Sequence, residues 1–202
     1  MIKLYDYDGS PYCQRVRVVL AEKKLPYEKI PTDIRKGEAR TPEYLKLCPY
    51  GQVPVLTDGD VVLYESAIIN EYLDEKYPTP ALRPSDPARR ARMRLSIDFI
   101  DQRMNPPYTA YRLEFQKPEG ERNAELMETK RREFLDQLGV LNKEFEGKEY
   151  LMGEFGLADI ALAPRLFRMP GLKLEIPPNQ ENVRRYVNTL RSRAGVKEAL
   201  GF

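Results

Sequence analysis

Ser10-Pro11-Tyr12-Cys13 sets a hydroxyl and a thiol at the start of a helical run that continues through Ala21, directly after a short apolar strand, Ile2 to Tyr7. The first turn of a helix offers unpaired N–H groups and partial positive charge, and both favour an anion. A thiolate there is stabilised by hydrogen bonds and dipole together, so the segment suits the handling of sulfur. Ser10 has the character of an N-cap, and Pro11 fits the first helical position, where its missing N–H would have been unpaired anyway. The same residues have an architectural reading, in which Ser10 and Pro11 start a helix and Cys13 is a small buried packing residue. The chain contains 0 histidines. Ser-His and Cys-His nucleophilic catalysis and histidine-ligated metal sites are thereby excluded. Its 2 cysteines, with a presumed strand and helix between them, make a poor zinc site. No metal is expected, and the chemistry falls to a hydroxyl, a thiol, a carboxylate or a bound cosubstrate.

The 202 residues allow one or two domains with a sizeable core. Lys and Arg number 33 against 31 Asp and Glu, a net charge of +2, so the chain lacks the global basic signature of a nucleic-acid binder. The cluster Arg89, Arg90, Arg92 and Arg94 reads as a solvated helix face paired with nearby acids. Two cysteines do not make a disulfide framework, and a reducing cytoplasm is the simpler setting. The chain enters its first strand without a charged and apolar leader, and no apolar run approaches a membrane span. A cytoplasmic protein with no membrane partner and no direct nucleic-acid partner is expected.

The elements that must position the Ser10 segment alternate between strand and helix. After the opening strand and the helix from Tyr12 to Lys24, Tyr27 to Pro31 reads as a strand and Thr41 to Leu47 as a short helix. Val53 to Leu56 and Val61 to Tyr64 read as strands joined by the hairpin signal Asp58-Gly59-Asp60. Ser66 to Lys76 carries Ile68, Ile69, Tyr72 and Leu73 at helical spacing. That order is the order of a thioredoxin-like α/β domain. Pro78, Pro80, Pro84 and Pro87 crowd the next segment, where proline prevents a continuous helix and stiffens the connection. Residues 1–78 are therefore expected to form the α/β domain, 79–87 a linker, and 88–202 an all-helical domain. Helical runs fall near Ala88 to Tyr111, Glu121 to Phe145, Leu157 to Met169 and Glu181 to Arg193. The polar stretch Gln116 to Glu121 should separate the first two. Asp159 is spaced to reach back to the N–H of Gly156 as half of a capping box. Pro164 should bend or interrupt its helix.

In order and spacing, Ser10-Pro11-Tyr12-Cys13-Gln14-Arg15-Val16, Gly51-Gln52-Val53-Pro54, Glu65-Ser66-Ala67-Ile68-Ile69 and Phe155-Gly156-Leu157-Ala158-Asp159 together resemble the cytosolic glutathione transferase superfamily. The resemblance covers essentially the whole chain. It implies a thioredoxin-like domain that binds glutathione as cosubstrate, followed by an all-helical domain that forms most of a pocket for a small electrophile, in a homodimer. It implies that the backbone of Val53, before a cis Pro54, pairs with the cysteinyl unit of glutathione. Glu65 and Ser66 would hold the γ-glutamyl end, and Gln52 would lie near the glycyl carboxylate or a neighbouring amide. The chemistry of that end is sensible, since Ser66 can bind a carboxylate and Glu65 an ammonium. Ser10 stands where cysteine-type transferases and glutaredoxins carry the working thiol, which makes this a serine-type member whose hydroxyl holds the glutathione sulfur as thiolate. Cys13, about one turn further on, is the second catalytic candidate, through a mixed disulfide with glutathione. Tyr12, Asn105, Tyr108 and Tyr111 are candidates to line the electrophile pocket, and the last two serve equally as core or dimer residues.

Leu162-Ala163-Pro164-Arg165-Leu166-Phe167-Arg168-Met169-Pro170 and Glu71-Tyr72-Leu73-Asp74-Glu75 are similar to the stringent starvation protein A branch of the same superfamily. This implies an alternative, a regulator that binds RNA polymerase without transferase activity. Two departures favour a retained glutathione site: Pro78-Thr79-Pro80 replaces the Pro-His-Pro usual in that branch, and Ser10 stands at the catalytic position.

Overall fold

A computed structural model describes residues 1–201. The chain divides into two compact units, Met1–Arg83 together with the residues from Arg193 on, and Pro84–Ser192. The first is a thioredoxin-like α/β unit and the second is all-helical.

The α/β unit contains β1 (Ile2–Asp6), α1 (Pro11–Glu22), β2 (Tyr27–Pro31), α2 (Pro42–Leu45), β3 (Val55–Asp58), β4 (Val61–Tyr64) and α3 (Ser66–Lys76). The four strands form one sheet in the order β2-β1-β3-β4, with β1 parallel to β2 and the other neighbours antiparallel. The third strand starts two residues later than its apolar pattern suggests, because Pro54 has no N–H to give a ladder. Side chains alternate across the sheet. Tyr5, Val55 and Tyr64 stand in one cross-strand row, on the face where Ala39, Tyr44 and Cys48 pack. Leu4, Leu56 and Leu63 form the neighbouring row on the opposite face.

The proline-rich connection is bound at its start. The buried ammonium of Lys23, just past α1, donates to the carbonyls of Tyr77 (2.7 Å) and Pro80 (2.6 Å) and pairs with Asp74 on α3 at 2.7 Å. Asp74 also accepts from the N–H of Leu82 at 2.8 Å. A buried charge is tolerated only when paired and hydrogen-bonded in this way. One helix escaped the sequence pattern: α9 (Ala194–Leu200) packs on α1 in the α/β unit, whereas the run 88–202 was expected to be one helical domain. Its anchor is the guanidinium of Arg193, which meets Glu22 at 2.7 and 3.1 Å. A seven-residue helix has too few turns for a periodic signal.

The helical unit contains α4 (Pro87–Phe99), α5 (Asn105–Phe115), α6 (Ala124–Glu144), α7 (Leu157–Arg168) and α8 (Glu181–Ser192). Instead of one uniform helix from 88 to 111, a π-helical turn at Ile100–Met104 joins α4 to α5, with the N–H of Asn105 reaching Ile100 O. Pro106 and Pro107 supply the reason: neither has an N–H, so two consecutive carbonyls lose their usual donor and the turn widens. Pro164 does not interrupt α7, which runs unbroken through it with Leu157 to Leu166 all buried. Packing on every side outweighs the single lost hydrogen bond. On α4, Arg89 and Arg90 bond to the backbone carbonyls of Met152 and Ser85 rather than to acids. Among the described residues, no helix is long and apolar enough to cross a membrane.

Asp159 organises the start of α7. Its carboxylate accepts from the N–H of Leu151 (3.0 Å) and of Gly156 (2.9 Å) and from the hydroxyl of Tyr186 (2.9 Å). Burial nevertheless pushes the carboxyl up to about 6 from its ordinary 3.8, desolvation outweighing the three donors. A carboxyl raised on folding stabilises the fold most below its unfolded value and loses that contribution as pH rises through its folded value. The stability of the parent protein relative to Asp159→Asn should therefore fall between about pH 4 and 6, as read by urea melts of both at stepped pH.

Candidate functional site

The strand row Tyr5, Val55 and Tyr64 places three chain segments at one end of the sheet. The chain leaves β1 there toward Ser10, enters β3 there from Val53, and leaves β4 there into Glu65 and Ser66. Residues far apart in sequence are thus gathered on one edge of the α/β unit.

Ser10 is the N-cap of α1, in extended conformation (φ −90°, ψ 119°), with Pro11 in the first turn. Its N–H closes the preceding turn on Tyr7 O at 2.9 Å, and its Oγ accepts the N–H of Cys13 at 3.3 Å. The Ser10 hydroxyl proton has no acceptor among the described residues, and the residue keeps 8% exposure. A cap with its acceptor side committed to the helix therefore retains one donor at the positive end of a twelve-residue helix.

Cys13 is enclosed by its surroundings. It is 0% exposed, and its Sγ accepts the N–H of Tyr7 at 3.5 Å. Burial pushes the thiol up to about 12, against which the Tyr7 and Ser10 bonds are lesser effects. An enclosed thiol whose burial opposes ionisation suits the packing role for Cys13.

The loop before β3 is set by contacts that the sequence motif does not announce. Tyr44 of α2 donates its hydroxyl to Gln52 O at 2.7 Å. Gly51 has φ +60°, and a Cβ there would approach Ala39 O to 2.7 Å, so only glycine fits. The Val53–Pro54 peptide is cis. Val53 is half-buried against the Tyr44 cluster, and neither its N–H nor its C=O bonds to another described residue. Gln52 is exposed.

At the start of α3, Glu65 holds the left-handed φ of +69° without being glycine. Such a backbone costs on the order of 1–3 kcal/mol and is found where a chain is bent for a purpose. Here it lifts Glu65 out as an exposed carboxylate while Ser66, the first helical residue, is buried with its hydroxyl unbonded among the described residues. The first N–H groups of the helix are unpaired as well. An α-amino acid end, one ammonium and one carboxylate, matches this arrangement. Among the described residues no group of three or more His, Cys, Asp or Glu could hold a metal ion.

Of the remaining candidates, Tyr12 is in the α/β unit, half-buried beneath the Arg15 guanidinium at 4.9 Å. Asn105, Tyr108 and Tyr111 are in the helical unit, where Tyr108 and Tyr111 take the core alternative. Tyr108 is wholly buried against Phe134, and Tyr111 donates to Leu172 O at 3.1 Å. Asn105 Oδ1 is occupied by Arg165, at 3.1 and 3.3 Å, and by Thr109. Arg165 in turn pairs with Asp101 at 3.0 Å, so this cluster ties α7 to the π turn.

Two family models match: glutathione S-transferase N-terminal domain over residues 4–81 and C-terminal domain over 99–194. A stringent starvation protein A homolog of Haemophilus ducreyi is 31% identical over 203 residues, covering 100% of this chain and 90% of the relative. A maleylacetoacetate isomerase of Pseudomonas aeruginosa is 35% identical over 171 residues, 82% of this chain and 80% of the relative. A glutathione transferase of Burkholderia graminis, crystallised with two glutathione molecules per subunit, superposes with a TM-score of 0.86 at 25% identity, over 98% of this chain and 87% of that one.

Gly51→Ala should cost about 2 kcal/mol of stability, from the left-handed backbone together with the close carbonyl. A denaturant melt of the variant against the parent measures it.

Proposed function

The chain belongs to the glutathione S-transferase family, and from that premise we propose that it binds glutathione along the gathered edge of the sheet and uses Ser10 to hold the sulfur as thiolate. The observation that carries this reading is the uncommitted Ser10 hydroxyl at the N-terminus of α1. That hydroxyl donates to the sulfur, and the helix terminus favours the negative charge. Thiol ionisation then falls toward neutral pH, the proton leaving to solvent, and the anion is held ready for a small electrophile. Orientation supplies much of the remaining advantage. Val53 offers its free N–H and C=O to the cysteinyl unit, Glu65 pairs with the ammonium, and Ser66 with the α-carboxylate. Gln52 lies toward the glycyl end, and a homodimer belongs to the same reading.

A regulator that binds RNA polymerase and leaves this edge without glutathione is the second reading. It is favoured by the match of the whole of this chain to a stringent starvation protein A homolog. Ligand binding to the native state raises thermal stability, so glutathione separates the two.

Calorimetric titration with glutathione should give saturable binding that Glu65→Ala/Ser66→Ala abolishes. No heat at millimolar glutathione would overturn the transferase reading in favour of the regulator. Ser10→Ala should lower conjugation kcat about 10- to 100-fold, the value of one hydrogen bond to a charged group, with a melting temperature only a few degrees lower for the lost N-cap. Cys13→Ala should retain parental conjugation, measured in the same assay.

A further inference from the structure

The turn that presents Ser10 is tied down by a closed square of alternating charge. Arg17 Nη1 on α1 lies 2.7 Å from Asp8 Oδ1 and 3.4 Å from Asp6 Oδ2. Lys29 Nζ on β2 lies 2.6 Å from the same Asp8 oxygen and 3.2 Å from the same Asp6 oxygen. The chemistry proposed above uses none of the four.

Their exposures differ in an informative way. The Asp6 carboxylate, at the end of β1, is 0% exposed, and neither oxygen has a hydrogen-bond donor of good geometry. Its burial is offset by the two cations, which fixes where Arg17 and Lys29 must stand. Asp8 is 75% exposed, and nothing in its own environment obliges it to be ordered. It lies in the turn Tyr7–Gly9, two residues before Ser10, and meets both cations through one oxygen. The bond from Lys29 is foremost in holding its carboxyl below the usual range.

The other turn residues have contacts of their own, none of them an ion pair among those described. The Tyr7 ring covers Gly9, where a Cβ would come within 2.5 Å of it, and the Arg35 guanidinium lies 5.2 Å above that ring. Tyr7 N–H reaches Cys13 Sγ, and Ser10 N–H reaches Tyr7 O. Asp8 is the residue whose ion pairs fasten the turn to a second strand as well as to the helix. A network of this kind holds geometry better than an isolated surface pair, because each member restrains two others.

Resting on the reading of Ser10 given above, we infer that Asp8, clamped between Arg17 and Lys29, is a positioning residue for Ser10. It fixes the heading of the turn so that the hydroxyl meets the sulfur at hydrogen-bond distance. The effect belongs to the reacting geometry, so it acts on turnover more than on glutathione affinity, most of which comes from Val53, Glu65 and Ser66.

The test compares the parent with Asp8→Asn, Lys29→Met, the double variant and Asp8→Glu. Two readouts are taken: kcat and KM for glutathione with 1-chloro-2,4-dinitrobenzene, and deuterium uptake by the peptide spanning residues 7–13. Asp8→Asn should lower kcat about tenfold with KM for glutathione within about twofold, the signature of misplaced reacting groups. Lys29→Met, which also takes a cation from buried Asp6, should lower kcat at least as far, the double variant should be no worse than Lys29→Met alone, and Asp8→Glu should recover part of the loss. Uptake at 7–13 should rise in Asp8→Asn while that of β2 and α3 stays at the parental level. An unchanged kcat in Asp8→Asn, or a fall matched by uptake rising throughout the α/β unit, overturns the inference. If the parent does not turn over, the transferase reading fails by itself and the exchange experiment decides: uptake at 7–13 unchanged in Asp8→Asn overturns the positioning role, and a rise confined there upholds it.

Discussion

The register that sets Tyr5 opposite Val55 and Val55 opposite Tyr64 is the constraint from which the candidate site follows. Side chains alternate along a strand, so a slip of one residue would send Val55 to the other face and empty the Tyr44, Cys48 and Ala39 cluster. Burial of that cluster therefore specifies the register, and the register decides which loops share an edge. The hydroxyl of Ser10, the backbone of Val53 and the carboxylate of Glu65 meet at one edge because an apolar row beneath them admits a single alignment.

Within that frame the site residues are held by different physical means. Ser10 is fixed by covalent neighbours and capping: the helix needs an acceptor for the Cys13 N–H, and meeting that need leaves the hydroxyl proton available. Gln52 and Val53 are held from outside their own segment, by the Tyr44 hydroxyl and by the space that Gly51 leaves for Ala39 O. Glu65 is held against its backbone preference, with φ at +69°. A capped helix, a braced loop and a strained bend each leave polar groups without internal partners. Those groups suit a ligand with a thiol, peptide groups and an amino acid end.

Burial does the sorting between the two candidate nucleophiles. Ser10 and Cys13 are one turn apart and chemically comparable as sulfur-handling groups, yet the first retains some exposure and the second has none. Desolvation then keeps the thiol protonated, and the helix terminus that would have favoured its anion acts on whatever Ser10 faces. The same logic separates Asp159 from Asp8. Enclosure raises the first despite three donors, while two cations lower the second despite its contact with water.

By itself the sequence determined the element order from β1 to α3, the N-cap at Ser10, the break after Phe115 and the reach of Asp159 to Gly156. Each is a local property, set by periodicity, capping chemistry or proline within a few residues. The Glu65-Ser66 and Val53-Pro54 segments were legible through their resemblance to a family rather than through chemistry of their own. Tertiary structure alone decided the rest. The burial of Cys13, Tyr108 and Tyr111 depends on neighbours that no short window contains. The path of α7 through Pro164 depends on packing that outweighs a local rule. Tyr44 beneath Gln52, α9 against α1 and the charge square around Asp8 join residues brought together only by folding. Their spacing along the chain carries no trace of that proximity, because the interactions that create it act across strands and between packed faces.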